Sequence, residues 1–174
     1  DKIRDTASSH ARTFIVEVMG RKSSAIALHV GVCTGAENII LPSKDDSDID
    51  FASIASDIQR GIKRGKNSSI IIAAEGEQPG LSHRIQNVLN DQYKIDAHVC
   101  ILGHIQRGGN PSSLDRFLAS RMGWVAVDGL LNGEKAFATC FVKGEVETSD
   151  LKNCLEKRNE YRPYYVDLAK ALSI

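Results

Sequence analysis

The sequence has no surplus of charge of either sign: 22 Lys and Arg stand against 22 Asp and Glu over 174 residues. A chain so balanced has no global field to draw in nucleic acid or an anionic membrane surface, so neither is an expected partner, and any anion site must be built locally. No apolar stretch approaches the length of a membrane span. No G-x-G-x-x-G occurs, which argues against a generic dinucleotide-binding domain. Cysteine is sparse, and Cys33, Cys100, Cys140 and Cys154 show no C-x-x-C spacing. They sit mostly in apolar runs and read as buried, reduced thiols rather than zinc ligands or disulfides, so no metal site is expected and a cytoplasmic location fits. There is no initiator Met and no signal-like region at Asp1, and the bare start reads as a fragment of something longer.

What is present is a pattern. At 42% hydrophobic content the chain can fill one or two packed lobes. Apolar runs rich in β-branched residues recur at 13–18, 38–42, 68–76, 97–103 and 136–142, four of them nearly unbroken, as strands buried on both faces are. Segments of helical period lie at 23–33, 50–66, 81–92 and 113–132. Alternation of this kind predicts an α/β protein, a three-layer α/β/α arrangement around a mainly parallel sheet, with ligands gathered beyond the carboxyl ends of the strands.

The chemistry-bearing residues fall at those strand exits. Run 13–18 leads into Met19-Gly20-Arg21, run 68–76 ends on Glu75-Gly76, and run 97–103 opens into "GHIQRGG", with His104 and Arg107 three positions apart and glycines behind them. Taken singly, each is a solvated loop charge or a structural histidine. Together they form a set: phosphate needs Arg and His donors, hydroxyls need a carboxylate acceptor, and glycine lets the backbone close in, which is what a sugar phosphate requires.

A second basic group, "RGIKRGK" at 60–66, ends a predicted helix. Arg60 and Lys63 there complement the negative end of the helix dipole. Arg64 and Lys66 flank Gly65, on a turn able to clamp a phosphate. Arg4 and Arg12 lie in a polar segment before the first strand, where simple solvation is the alternative.

The segments "IRDT", "VEVMGR", "RGK", "AEG" and "LGHIQRGGNPSSLDR", in this order and separation, resemble the C-terminal half of the 6-phosphofructokinase family. The resemblance runs from Asp1 to the closing "ALSI" and implies a phosphofructokinase-like fold and a kinase that transfers a phosphoryl group from ATP to O1 of fructose 6-phosphate in glycolysis. It implies that His104 and Arg107 hold the 6-phosphate, that Glu75 accepts sugar hydroxyls, that Met19 and Gly20 border the sugar, and that Arg21 is the catalytic cation near phosphoryl transfer. Arg12, and His98 in a position where the family has arginine, would reach the 6-phosphate of a neighbouring subunit in a homotetramer; for His98, on a strand of apolar alternation, packing at an interface is the equal alternative. Arg4, Glu37, Arg64 and Lys66 would form an effector site for ADP or phosphoenolpyruvate. Residues 1–105 and 157–174 would be the substrate and effector lobe, and 106–156 a segment that returns to the nucleotide lobe.

Nothing like "GGDGS" or "TIDND" occurs, so the phosphate loop, the Mg²⁺-binding acid and the catalytic aspartate are expected in an N-terminal half, and the isolated chain should not turn over. Two further departures are Lys22-Ser23-Ser24-Ala25 where the family commonly has Gly-Asp after "MGR", and the absence of a glutamate after Pro42. A non-catalytic sugar-phosphate-binding or regulatory subunit and a pyrophosphate-dependent enzyme are the alternative readings. Arg4, Arg64 and Lys66 favour the allosteric ATP-using branch.

Overall fold

The computed structural model describes residues 2–42, 48–156 and 163–172. In chain order its elements are α1 (Lys2–His10), β1 (Thr13–Val18), α2 (Ala25–Thr34), β2 (Asn38–Ile40), α3 (Phe51–Lys63), β3 (Ser69–Ala74), α4 (Leu81–Asp91) and β4 (Ala97–Ile101), then a 3₁₀ turn (Gly103–Arg107). There follow α5 (Ser113–Leu131), β5 (Phe137–Val142), β6 (Glu145–Asp150), α6 (Leu151–Glu156) and α7 (Pro163–Leu172). The chain divides into two compact units, Asp1–Arg107 with Tyr161–Ile174, and Gly108–Glu160.

The first unit is built on a four-stranded sheet in the order β2-β3-β1-β4, every pair parallel. All of β3 is buried, as an unbroken run of Ser, Ile and Ala in a central strand must be. Because side chains alternate along a strand, the sheet feeds two cores. Ile15, Ile71 and Ala97 face Ile54 and Ile58 of α3 and Leu81, Ile85 and Leu89 of α4. On the opposite face Val16, Val18, Ile70 and Ile72 meet Ala27 of α2, with Ile3 of α1 packed against them. Helix α7 lies against α2 and β2. Helices therefore cover both faces of a parallel sheet, the expected three-layer α/β arrangement.

The second unit is a helix with a hairpin. The apolar run 136–142 does not join the parallel sheet: β5 pairs antiparallel with β6. Its two-residue loop is Lys143-Gly144, both at positive φ (52° and 93°), the backbone that a tight hairpin needs. Helix α5 starts in a reciprocal cap, in which Ser112 Oγ accepts from the Asp115 N–H while the Asp115 carboxylate accepts from the Ser112 N–H.

Two local expectations change. The polar segment before the first strand is helical, held by Ala7, which is fully buried, and by Arg4, which donates to the Thr34 and Gly35 carbonyl oxygens at 2.7 and 3.1 Å. The cysteines are not deeply buried: Cys33 is exposed on α2, and the other three are half-buried. Among the described residues no helix is long and apolar enough to cross a membrane.

Candidate functional site

Parallel pairing decides where the strand exits fall. Val18 of β1 is in register with Ala74 of β3, and Glu17 with Ile101 of β4, so three adjacent strands end at one level on one edge. Backbone bonds then hold the exits together: the Glu75 N–H donates to Val18 O at 2.9 Å, the Gly76 N–H to Gly20 O at 3.3 Å, and the Leu102 N–H to Glu17 O at 3.1 Å. Gly20 itself has φ 148°, and a Cβ there would run into the carbonyl oxygen of Ser23, so the turn between β1 and α2 closes only over glycine.

Beyond this edge opens a cleft of about 730 Å³ lined by Met19, Gly20, Arg21, Glu75, His104 and Arg107, with Ser23, Ile26 and Gly103 completing its wall. Of the strand-exit residues singled out from the sequence, all of these six thus line a single cavity, and Gly76 does not. His104 and Arg107 share one 3₁₀ turn, where residues three apart stand nearly eclipsed, so both donors lie on the same side. Neither makes a hydrogen bond or ion pair among the described residues. Arg21 Nε lies 3.6 Å from Glu75 Oε1, and the arginine side chain is 82% exposed. A long, wet contact of that kind is weak and exchangeable, leaving both groups available to a ligand.

The residue that sequence reasoning passed over is Gln106. Its Oε1 accepts from the Met19 N–H at 3.1 Å and its Nε2 donates to Gly103 O at 3.1 Å. It ties the 3₁₀ turn to the exit of β1 and so fixes where His104 and Arg107 stand. Its position inside "GHIQRGG", as an amide able to both donate and accept between His104 and Arg107, was the available signal.

Arg12 and His98 lie outside this cleft. They meet at Asp96, just before β4, with Arg12 Nε 3.5 Å from Oδ2 and His98 Nε2 3.0 Å from Oδ1. The His98 contact is close but off the line of the N–H, so Nε2 forms no true hydrogen bond there. The His98 ring stands against Phe14 with centroids 5.9 Å apart.

Arg4 and Lys66 both reach the turn after α2. Glu37 is buried; its Oε2 accepts from the Ile70 N–H at 2.6 Å, and its Oε1 lies 3.5 Å from Lys66 Nζ. Arg4 grips the Gly35 carbonyl two residues away. Arg64 caps α3, and Gly65 after it has φ 89°. The Arg64 side chain has no partner among the described residues. Arg60 pairs with Asp57 within α3, consistent with a purely helical role. No group of three or more His, Cys, Asp or Glu able to hold a metal ion occurs among the described residues.

Comparison with known proteins gives a consistent result. The family model for phosphofructokinase matches residues 1–130. The whole chain aligns at 45% identity with an ATP-dependent 6-phosphofructokinase of Staphylococcus epidermidis, and at 40% with one of Thermus thermophilus, covering 53% of each. It therefore spans about half the length of these curated relatives. Among solved structures, a phosphofructokinase from Saccharomyces cerevisiae superposes with a TM-score of 0.80 at 27% identity over 99% of this chain and 23% of that one. On the family match, the identity along its full length and the shared fold, the chain belongs to the phosphofructokinase family.

Proposed function

We propose that this chain is the C-terminal, substrate-holding half of an ATP-dependent 6-phosphofructokinase, which transfers a phosphoryl group from ATP to O1 of fructose 6-phosphate. The observation that carries the reading is the cleft, where an imidazole and a guanidinium without partners among the described residues share one turn and line the same cavity as a half-buried carboxylate. His104 and Arg107 take the 6-phosphate, the guanidinium offering two parallel donors. Glu75 accepts the sugar hydroxyls, and Gly20 lets the backbone approach the ring. Arg21 leaves Glu75 to face the charge that moves during phosphoryl transfer. ATP, its Mg²⁺ and the base that activates the hydroxyl belong to the rest of the protein, where phosphates, metal and base must be positioned together.

Arg12 and His98 stand away from their own cleft, which suits donation to the 6-phosphate in a neighbouring subunit of a cytoplasmic homotetramer. Arg4, Glu37, Arg64 and Lys66 form the effector site for ADP or phosphoenolpyruvate, and residues 106–156 return to the nucleotide lobe. Arg107→Ala in the full-length protein tests the assignment. Loss of a charge-assisted bond to phosphate costs about 1.5–3 kcal/mol, so KM for fructose 6-phosphate should rise roughly 10- to 100-fold with that for ATP unchanged. Equal affinity for the sugar phosphate in both proteins overturns the site. Wild-type binding without turnover overturns the kinase and leaves a sugar-phosphate-binding subunit.

A further inference from the structure

In the second unit, Cys140 on β5 and Cys154 on α6 place their sulfurs 3.7 Å apart. Two features of the fold bring them together. Phe137 and Thr148 lie against Gly129 of α5, so the side chains of that parity face the helix, and Cys140, of opposite parity on β5, faces away from it. Helix α6 begins on that other side, fixed where the Leu151 N–H donates to Ala136 O at 2.8 Å and the Asn153 N–H to Asp150 Oδ1 at 3.0 Å. The anchored first turn of α6 carries Cys154 directly to Cys140. Both residues are half-buried, within reach of a small solute but shielded from a second protein.

We infer that Cys140 and Cys154 are an oxidation-sensitive dithiol that closes to an intramolecular disulfide in the presence of a low-molecular-weight disulfide. The thiolate of one cysteine attacks the oxidant RSSR, forming a mixed disulfide and expelling RS⁻. The thiolate of the other then attacks the protein sulfur of that adduct, forming the Cys140–Cys154 bond and releasing the second RS⁻. Two protein thiols are oxidised, one RSSR is reduced to two RSH, and the two protons lost from the cysteines end on those thiols. The second step is intramolecular between sulfurs already in van der Waals contact, so it outruns accumulation of the mixed adduct. Closing the gap to a bond of about 2.05 Å takes a small side-chain adjustment. In a reducing compartment the pair stays open, and a shift in thiol poise staples α6 to the hairpin. The inference is independent of the cleft.

The test equilibrates the full-length protein at neutral pH with glutathione at graded ratios of oxidised to reduced form, quenches with acid, alkylates and maps peptides by mass spectrometry. The expected result is a Cys140–Cys154 cross-linked peptide, two hydrogens lighter than its parts, that grows in with loss of both thiols and is reversed by reductant. Cys140→Ser should abolish the cross-link and leave Cys154 as a glutathione adduct. Two outcomes overturn the inference: glutathione adding singly to Cys140 or Cys154 in the wild type, or both thiols staying alkylatable at a ratio where exposed Cys33 already carries glutathione.

Discussion

Arg64 and Lys66 sit two residues apart and would serve the same effector, yet their surroundings differ, and so should the consequences of losing each. Arg64 has no protein partner among the described residues, so Arg64→Ala should leave stability unchanged and remove the response to ADP or phosphoenolpyruvate. Lys66 is the counter-ion of buried Glu37, so Lys66→Ala should remove the same response and also cost about 1 kcal/mol. Steady-state kinetics with and without effector, beside urea unfolding, checks both. An effector response that survives in both variants overturns the site. Gly20 makes a different kind of prediction, because its φ and the Ser23 carbonyl oxygen leave no room for a side chain. Gly20→Ala should cost about 1–3 kcal/mol and weaken sugar-phosphate binding by displacing Met19 and Arg21. Wild-type unfolding and affinity would show that the turn is not strained. The lining of the cleft was legible because glycines, Arg and His cluster at strand exits. Gln106 was not, since a neutral amide beside Arg107 carries no charge signal.

Among the elements, α5 depends on pH in a definite direction. The hydroxyl of Ser112, and secondarily its backbone N–H, donate to the Asp115 carboxylate and hold its pKa below the ordinary value. A depressed carboxyl stabilises the folded form while ionised, so the contribution is complete above the unfolded value and is lost as pH falls through the folded one. Thermal melts from pH 7 down to pH 3 should show wild type losing stability faster than Asp115→Asn, and parallel losses would remove the cap from the account. The buried strands were readable as β-branched runs, and α5 from its period. Helix α1 escaped notice because "KIRDTASSH" has little apolar content, and what holds it is Ala7 and the reach of Arg4 to α2. Strand β6 escaped because "EVETSD" is acidic, and its partner turn uses Lys143-Gly144 rather than the stronger Asn-Gly signal.

At the scale of the molecule, the first unit is closed by an element from the far end of the chain. Val166, Ala169 and Lys170 of α7 line a cavity with Leu28 and Ala36, and Ala169 is buried. Ending the full-length protein before Pro163 should uncover apolar surface on the order of 100 Å², about 2.5 kcal/mol at ~25 cal/mol per Å². Lower resistance to urea and increased binding of an apolar dye are expected, and an unchanged unfolding midpoint would make α7 dispensable. The same interruption of the first unit by residues 108–160 sets an order of events on the ribosome. The sheet and its cleft residues, through Arg107, emerge well before the helix that covers α2. Joining the two ends of the chain costs little more in closure entropy than a shorter loop would, but such distant contacts form late. For the duration of that delay the nascent sheet presents Leu28 and Ala36 uncovered, and this surface is the one a chaperone would meet first.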